Sequence, residues 1–484
     1  ALQEQQDKLL DVFETLSEDT SAVNVVVSTP VPTPVLTASE TVLKFHVYDI
    51  ISPIPNREEW ETLLMDFTAN DPEVGFVELS TGFSQQAADE ETLDCYYRSS
   101  NIVPSIDLTT ILPLDPFLAA DINFDESEIL PGVMQQVRRE GQTWALPLSI
   151  QPMMLWYNST IFEEAGAFPP YSGWTTADFE DALRQIELSN GEEPFQPRQD
   201  NTYVMMLAAA YGGNPIDYST DPPAYNLTDL TVVEAFREVL NLAKDGYIKY
   251  EKLSNFGGGG FGGSGDTTPL YETFLSSLDW RFSNRDNVPS DVEDPYKLVS
   301  FPRGLEFSPA AFDLGTGYIN ANTLNPEACY RLLSYVSEST ALFNAMPVRP
   351  NMIDTVADSD DVKAVYQEMA ALLSQPDVIN IPTPFTSNGG FGSFIMQMWM
   401  NRAFDSYVLD NADLDTVLID AQGYIEDYTE CIASIDEVPN DELRNMPPDE
   451  SRDYFNQFNN CAIQVDPAME ETLRPMMGSN DDED

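Results

Sequence analysis

From Thr41 onward the chain alternates between two kinds of apolar pattern. TVLKFHVYDI reads as a strand, REEWETLLMDFTAND as an amphipathic helix and EVGFVELST as a second strand. A strand, a helix and a strand in that order open a βαβ unit. Farther on, ALPLSIQPMMLWYN again reads as a strand, FEEAGA follows it, and Trp174 with TTADFEDALRQI opens a helix whose cap is Thr175 or Thr176. Strand and helix signals keep alternating, so the expected class is α/β. The final stretch turns helical, through VKAVYQEMAALLS, FIMQMWMNRAFDSYVL and LDTVLIDAQGYIEDYTECIASI.

The region before Thr41 has a different character. Leu2, Leu9, Leu10, Phe13 and Leu16 stand near helical spacing in residues 1–19, and prolines at 30, 32 and 34 prescribe an extended linker. The compact fold is therefore expected to begin near Thr41. The opening ALQEQQDKLLDVF also loosely echoes VLIDAQGYIEDYT at 417–429. It reads either as the trailing helix of an upstream module or as a coincidence between two polar amphipathic helices.

Composition narrows the partners. With 484 residues, 42% of them hydrophobic, the chain can bury a large core and form two or more domains. Against 23 Lys and Arg stand 81 Asp and Glu, a formal charge of -58 that repels nucleic acid and anionic membrane. No stretch approaches the roughly 20 apolar residues of a membrane helix. Residue 1 begins neither a signal peptide nor a lipidated cysteine, which suggests a processed or truncated form. Cys95, Cys329, Cys431 and Cys461 lack the close spacing of a zinc site, and disulfides in an oxidising compartment fit them best. Cys431 and Cys461 flank an acidic, Pro-containing stretch, so they are expected to staple a helical hairpin, leaving Cys95 to pair with Cys329; buried free thiols are the alternative.

Few residues suggest chemistry of their own. His46 is the single histidine and lies inside the first strand, so a Ser-His-Asp triad would depend on it alone and His-rich metal sites are excluded. It is expected to be a buried, satisfied strand residue. The GGGGFGG run at 257–263 lacks the Lys-Ser/Thr of a phosphate-cradling loop and reads as a surface loop, or as a flap over a cleft. Carboxylates are too numerous to single out a glycosidase pair. The acidic clusters at 410–415 and at the DDED terminus have neither the glycine nor the closing Glu of an EF-hand and read as solvated charge. Trp156, Tyr157, Trp280 and Tyr318 lie where an α/β scaffold exposes strand ends; such rings stack on the C–H faces of sugars, while Asp49, Gln151 and Asn158 suit hydroxyl groups.

Several segments in fixed order carry a family resemblance. They are GQTWALPLSIQPMMLWYNSTIFEEAGA at 141–167, the Trp174, Thr175, Asp178, Phe179 helix start, SSLDWRFSN at 276–284, KLVSFPRG at 297–304 and GTGYINANTLNPEACYRLLSYVSE at 315–338. Together the chain resembles the extracellular solute-binding proteins of bacterial ABC importers, in the carbohydrate-binding group that includes maltose-binding protein. The resemblance spans roughly residues 41–465, with one departure: the segment before Trp280 carries the glycine loop in place of the family's Gly-Lys-x-Ala-Met run.

The resemblance implies a two-lobed, periplasmic-binding-protein-like fold of type II, each lobe a mixed sheet flanked by helices. Residues 41–151 with 316–380 would make one lobe and 152–315 with 381–470 the other, after an N-terminal helix and linker at 1–40 and before an acidic tail at 471–484. It places Trp280 under a sugar ring, Trp156 and Tyr157 just after the lobe crossing, Tyr318 at the hinge and Asp49 facing the cleft; Gln151 stays a candidate partner for hydroxyl groups, and Asp107 reads as structural. The implied function is capture of a solute, a mono- or oligosaccharide being favoured, for delivery to the membrane subunits of an ABC importer. No cofactor and no catalysis are expected, and the location would be extracellular, either lipid-anchored or periplasmic. A surface-assembly protein on the same scaffold and a carboxylate-dependent glycoside hydrolase are the competing readings.

Overall fold

The βαβ opening is present in the computed structural model as β1 (Thr41–Tyr48), α1 (Arg57–Asn70) and β2 (Val74–Thr81). The chain divides into two units, Ala1–Glu40 and Thr41–Asp484. The structure describes residues 41–48, 56–82, 92–104, 106–191, 193–197, 201–217, 224–254, 268–275, 294–343, 345–357, 360–381, 390–435, 438 and 446–474, all within the second unit. Expectations for the first 40 residues, the glycine loop, the last ten residues and the linker between the stapled helices at 439–445 lie outside them. In α1, Trp60, Leu64 and Phe67 are buried at i, i+4 and i+7, the single apolar stripe of a helix laid on a sheet. Both faces of β1 are covered: Leu43, Phe45 and Val47 enter one core, while His46 and Tyr48 point the other way.

β3 (Cys95–Arg98) pairs parallel with β1 on the side opposite β2. There follow α2 (Asp115–Ala120), α3 (Val133–Gln136) and the small hairpin β4 (Arg138–Arg139) and β5 (Gln142–Thr143). The long strand β6 (Leu146–Asn158) then carries the chain out of the first half of the sheet. Its last residue caps the next helix, α4 (Ser159–Ala165): the Asn158 side chain accepts from the Thr160 and Ile161 amides, and Gly166, with φ of 69°, ends the helix in a left-handed turn. α5 (Thr176–Asn190) begins at the expected threonine, where Thr175 and Asp178 form a reciprocal capping box. The remaining elements of this half are α6 (Thr202–Ala210), the short strands β7 (Ile216–Asp217) and β8 (Ala224–Tyr225), α7 (Leu230–Lys244), β9 (Leu270–Phe274), β10 (Tyr296–Val299) and β11 (Ser308–Ala310).

A second strand, β12 (Phe312–Ile319), returns to the first half, antiparallel to both β6 and β3. It leads into α8 (Pro326–Ser337), which starts on the Asn-Pro-Glu-Ala signal, then β13 (Met346–Pro347), α9 (Ile353–Val356), α10 (Asp360–Leu373) and β14 (Val378–Asn380). The helical end comprises α11 (Gly390–Leu409), α12 (Leu414–Ile432), α13 (Pro448–Val465) and α14 (Met469–Leu473). One element departs from the helical reading of this region: β14 forms a strand because β11, distant in sequence, offers it a parallel partner.

The main sheet runs β10-β6-β12-β3-β1-β2, with β9 and β13 also paired to β6. β6 pairs with β12 and β13 through its first half and with β9 and β10 through its second, so it carries the chain from one lobe to the other, and β12 leads it back. One core, around Phe45, Trp60, Phe67 and Leu333, belongs to the first lobe. Another, around Leu155, Phe162, Phe179, Phe236, Trp399 and Tyr428, belongs to the second and is completed by the C-terminal helices. A third follows the crossing through Ile150, Trp156, Phe312, Tyr318 and Met369. The disulfides Cys95–Cys329 and Cys431–Cys461 both form, each with a Cα–Cα distance of 5.8 Å, so the expected pairing holds and free thiols are ruled out. The first ties β3 to α8 and the second ties α12 to α13.

Candidate functional site

Where the two crossing strands pass from lobe to lobe, Gln151 of β6 lies directly opposite Asp313 of β12 in the antiparallel register. Gln151 is the one residue of the 13 in β6 that is not buried, and Asp313 is the one such residue of the 8 in β12. A strand covered on both faces is expected to be apolar throughout; two facing polar side chains at one point of it mark a change of environment. Both are tied to the chain that leaves β3. Gln151 Nε2 donates to the Ser99 carbonyl at 3.0 Å, and Asp313 Oδ1 accepts from the Asn101 amide at 3.2 Å and the Leu314 amide at 2.8 Å. Burial raises the Asp313 carboxyl to about 7, against the two amide donors, which favour its charged form.

The parallel pairing of β1, β2 and β3 puts the carboxyl ends of all three strands, at Tyr48, Thr81 and Arg98, on one side of the sheet. Ligands of open α/β sheets bind outside such ends. The Arg98 guanidinium lies 4.0 Å from the centre of the Tyr48 ring and 5.7 Å from that of Tyr96, a cation–π arrangement that holds it at the strand ends. Tyr96 stacks in turn on Tyr318, with ring centres 5.1 Å apart. The Tyr318 hydroxyl accepts from the Ile102 amide at 3.0 Å and from Thr316 Oγ1 at 2.9 Å, and burial pushes its pKa up to about 12. Tyr318 therefore supports the crossing from inside the core. His46 is fully buried with Nδ1 2.8 Å from Ser80 Oγ, the satisfied strand residue expected of it.

Of the residues singled out from sequence that the structure describes, Gln151 is the one that is not fully buried at the crossing. Trp156 and Tyr157 are on β6 as expected, but both are buried: Trp156 in the crossing core, Tyr157 in the second-lobe core against Phe162, with ring centres 5.4 Å apart. Tyr318 has no exposed surface. These three rings present no open face to a solute in this arrangement, because the strand alternation directs them into packed cores. Trp280 and Asp49 lie outside the described residues. Asp107 caps a short turn of helix through the Thr109 amide, the structural role anticipated for it. Asp413 likewise caps α12, and among the described residues no group of acids, histidines or cysteines is arranged to hold a metal ion. The sequence reading missed Asp313, Arg98 and Tyr48. Each becomes distinctive only through a partner brought by the fold.

No protein-family model matches the sequence, and no curated protein matches it. Solved structures do. The sugar-binding protein MalE from Xanthomonas citri superimposes with a TM-score of 0.60 at 15% identity, covering 80% of this chain and 96% of that one. The ABC substrate-binding protein Lmo0181 from Listeria monocytogenes, in complex with cycloalternan, gives 0.56 at 14%, covering 81% and 99%. A sugar transporter from Rhizobium etli in an open conformation gives 0.59 at 15%, covering 80% and 99%. At these identities the likeness establishes the fold, a two-lobed α/β architecture of the periplasmic-binding-protein kind.

Proposed function

We propose that this chain is an extracellular solute-binding receptor, without enzymatic turnover, that captures a mono- or oligosaccharide between its two lobes and presents it to the membrane subunits of an ABC importer. The observation that carries this reading is the facing pair Gln151 and Asp313, the one polar step that is not fully buried in two otherwise buried strands that link the lobes. An amide and a carboxyl side by side supply both donors and acceptors, which is what a ring of hydroxyl groups requires. Support comes from similar solved structures, one of which holds cycloalternan and another, the GacH receptor of Streptomyces glaucescens, acarbose.

Trp280 is proposed as the ring beneath the sugar, and Asp49 as a further hydroxyl partner, while the buried rings of Trp156, Tyr157 and Tyr318 serve as packed support for the crossing strands. A solute touching both lobes favours the closed arrangement by its differential affinity for it, so ligand binding is converted into a change of shape that a transporter can read. The strongly acidic surface, at -58, suits a neutral ligand better than an anion.

Titration calorimetry with glucose, maltose, longer maltooligosaccharides and non-glucose sugars tests the reading. The expected result is saturable, one-to-one binding of at least one sugar with no product released, weakened about tenfold, or about 1.4 kcal/mol, by Gln151→Ala. Trp280→Ala should lower affinity by about 1 to 3 kcal/mol through lost stacking and buried area. Absence of binding to every sugar by protein that unfolds cooperatively would overturn it.

A further inference from the structure

A cavity of about 440 Å3 lies beside the crossing, bounded by three stretches of chain that are distant in sequence. Asn101, Gln135, Arg138 and Arg139 line it from the segment between β3 and β5, Asn380 lines it from the end of β14, and Phe312 lies where β12 begins to cross. Two features ask for a ligand of particular chemistry. The Asn380 Oδ1 atom is buried and has no hydrogen-bond partner among the described residues, which is costly for an amide oxygen unless a donor is supplied. Arg138 is held by Glu126 at 2.6 Å, but Arg139 next to it only donates one N–H to the Ile106 carbonyl at 3.0 Å and pairs with no carboxylate among the described residues. A guanidinium without an acid is unusual in a chain with 81 acidic residues, and its remaining donors suit a carboxylate in bidentate geometry.

We propose that this cavity is a second, noncovalent binding site, for a small hydroxylated carboxylate about the size of a sugar acid. Its carboxylate lies on the Arg139 guanidinium, a hydroxyl group donates to Asn380 Oδ1, and its carbon chain rests on Phe312. The cavity is of the size that such molecules fill. Asn380 is carried by β14, which pairs with β11 ahead of the crossing, whereas Arg139 belongs to the chain between β3 and β6; an occupant therefore bridges both walls. This site does not depend on the identity of the solute captured between the lobes.

The experiment is titration calorimetry of the full chain with gluconate as the probe, with glucose and acetate as controls. Saturable gluconate binding is expected that persists in the presence of saturating glucose, whereas acetate, which lacks the hydroxyl groups, binds at least tenfold more weakly. Arg139→Gln and Asn380→Leu should each weaken gluconate at least tenfold while thermal unfolding stays cooperative; should one variant fail to fold, the other carries the test. Failure of gluconate to saturate, displacement of gluconate by glucose, or unchanged gluconate affinity in a folded variant would each overturn the proposal.

Discussion

Between about pH 4 and pH 7 the Asp313 carboxyl is ionised in the unfolded chain and neutral in the folded one, because burial raises it from 3.8 to about 7. The unfolded state then binds fewer protons than the native state, so stability is greatest below pH 4 as far as this group is concerned and falls as pH rises through the interval. Each unit of displacement is worth about 1.4 kcal/mol; the residue retains some solvent access, so a loss of about 2 kcal/mol is expected over the interval. Asp313→Asn keeps an oxygen for the Asn101 amide and cannot ionise, and urea unfolding midpoints measured against pH should be flatter in that variant by this amount. Two positions farther on, Gly315 lets β12 approach its neighbours: a Cβ there would collide with Ser149 Oγ and the Tyr97 hydroxyl. Gly315→Ala should therefore cost about 1 to 3 kcal/mol by overpacking, seen as a lower calorimetric Tm. Nothing in the sequence distinguishes Asp313 from the other 80 acidic residues, since its altered proton affinity comes from neighbours brought by β3 and β6. Gln151 was singled out from sequence only as an amide suited to hydroxyl groups, and its position opposite Asp313 comes from the pairing of β6 with β12.

Elements with local signals were readable in the sequence. The Thr175 cap, the Asn-Pro-Glu-Ala start of α8 and the alternation in β1 each use residues within a few positions of one another, and each element forms where those residues place it. β14 was not readable, because three residues, Val378–Asn380, become a strand only beside β11. The burial of Trp156 and Tyr157 was hidden for a similar reason: alternation fixes opposite faces, and which cores cover those faces depends on helices far along the chain. Cys431–Cys461 was anticipated as a staple on a helical hairpin and Cys95–Cys329 as the remaining pair, and loop length ranks their effects. Cys431–Cys461 closes 30 residues and Cys95–Cys329 closes 234, so in the chain-entropy account their contributions are about 3.5 and about 5.5 kcal/mol. Paired Ser substitutions compared by chemical unfolding should show Cys95–Cys329 as the more stabilising bond; equal losses would count against the loop-length ordering.

For the molecule as a whole, a charge of -58 makes self-repulsion a standing destabilising influence. Raising ionic strength from about 0.01 M to 1 M shortens the Debye length from about 30 Å to 3 Å, and Tm should rise with added sodium chloride; a falling Tm would mean that the scattered surface ion pairs outweigh the repulsion. The path of the backbone through the Cys95–Cys329 bond has a mechanical consequence. All of β6, the helices α4–α7 and all of β12 lie inside that closed loop. Tension applied at the two termini passes through the sulfur–sulfur bond and leaves this enclosed chain slack. An optical-tweezers pull on oxidised protein should therefore never extend it, and reduction should release roughly 800 Å of additional contour length for the 234-residue span. Much of the second lobe would thus be shielded from any force borne by a tethered terminus.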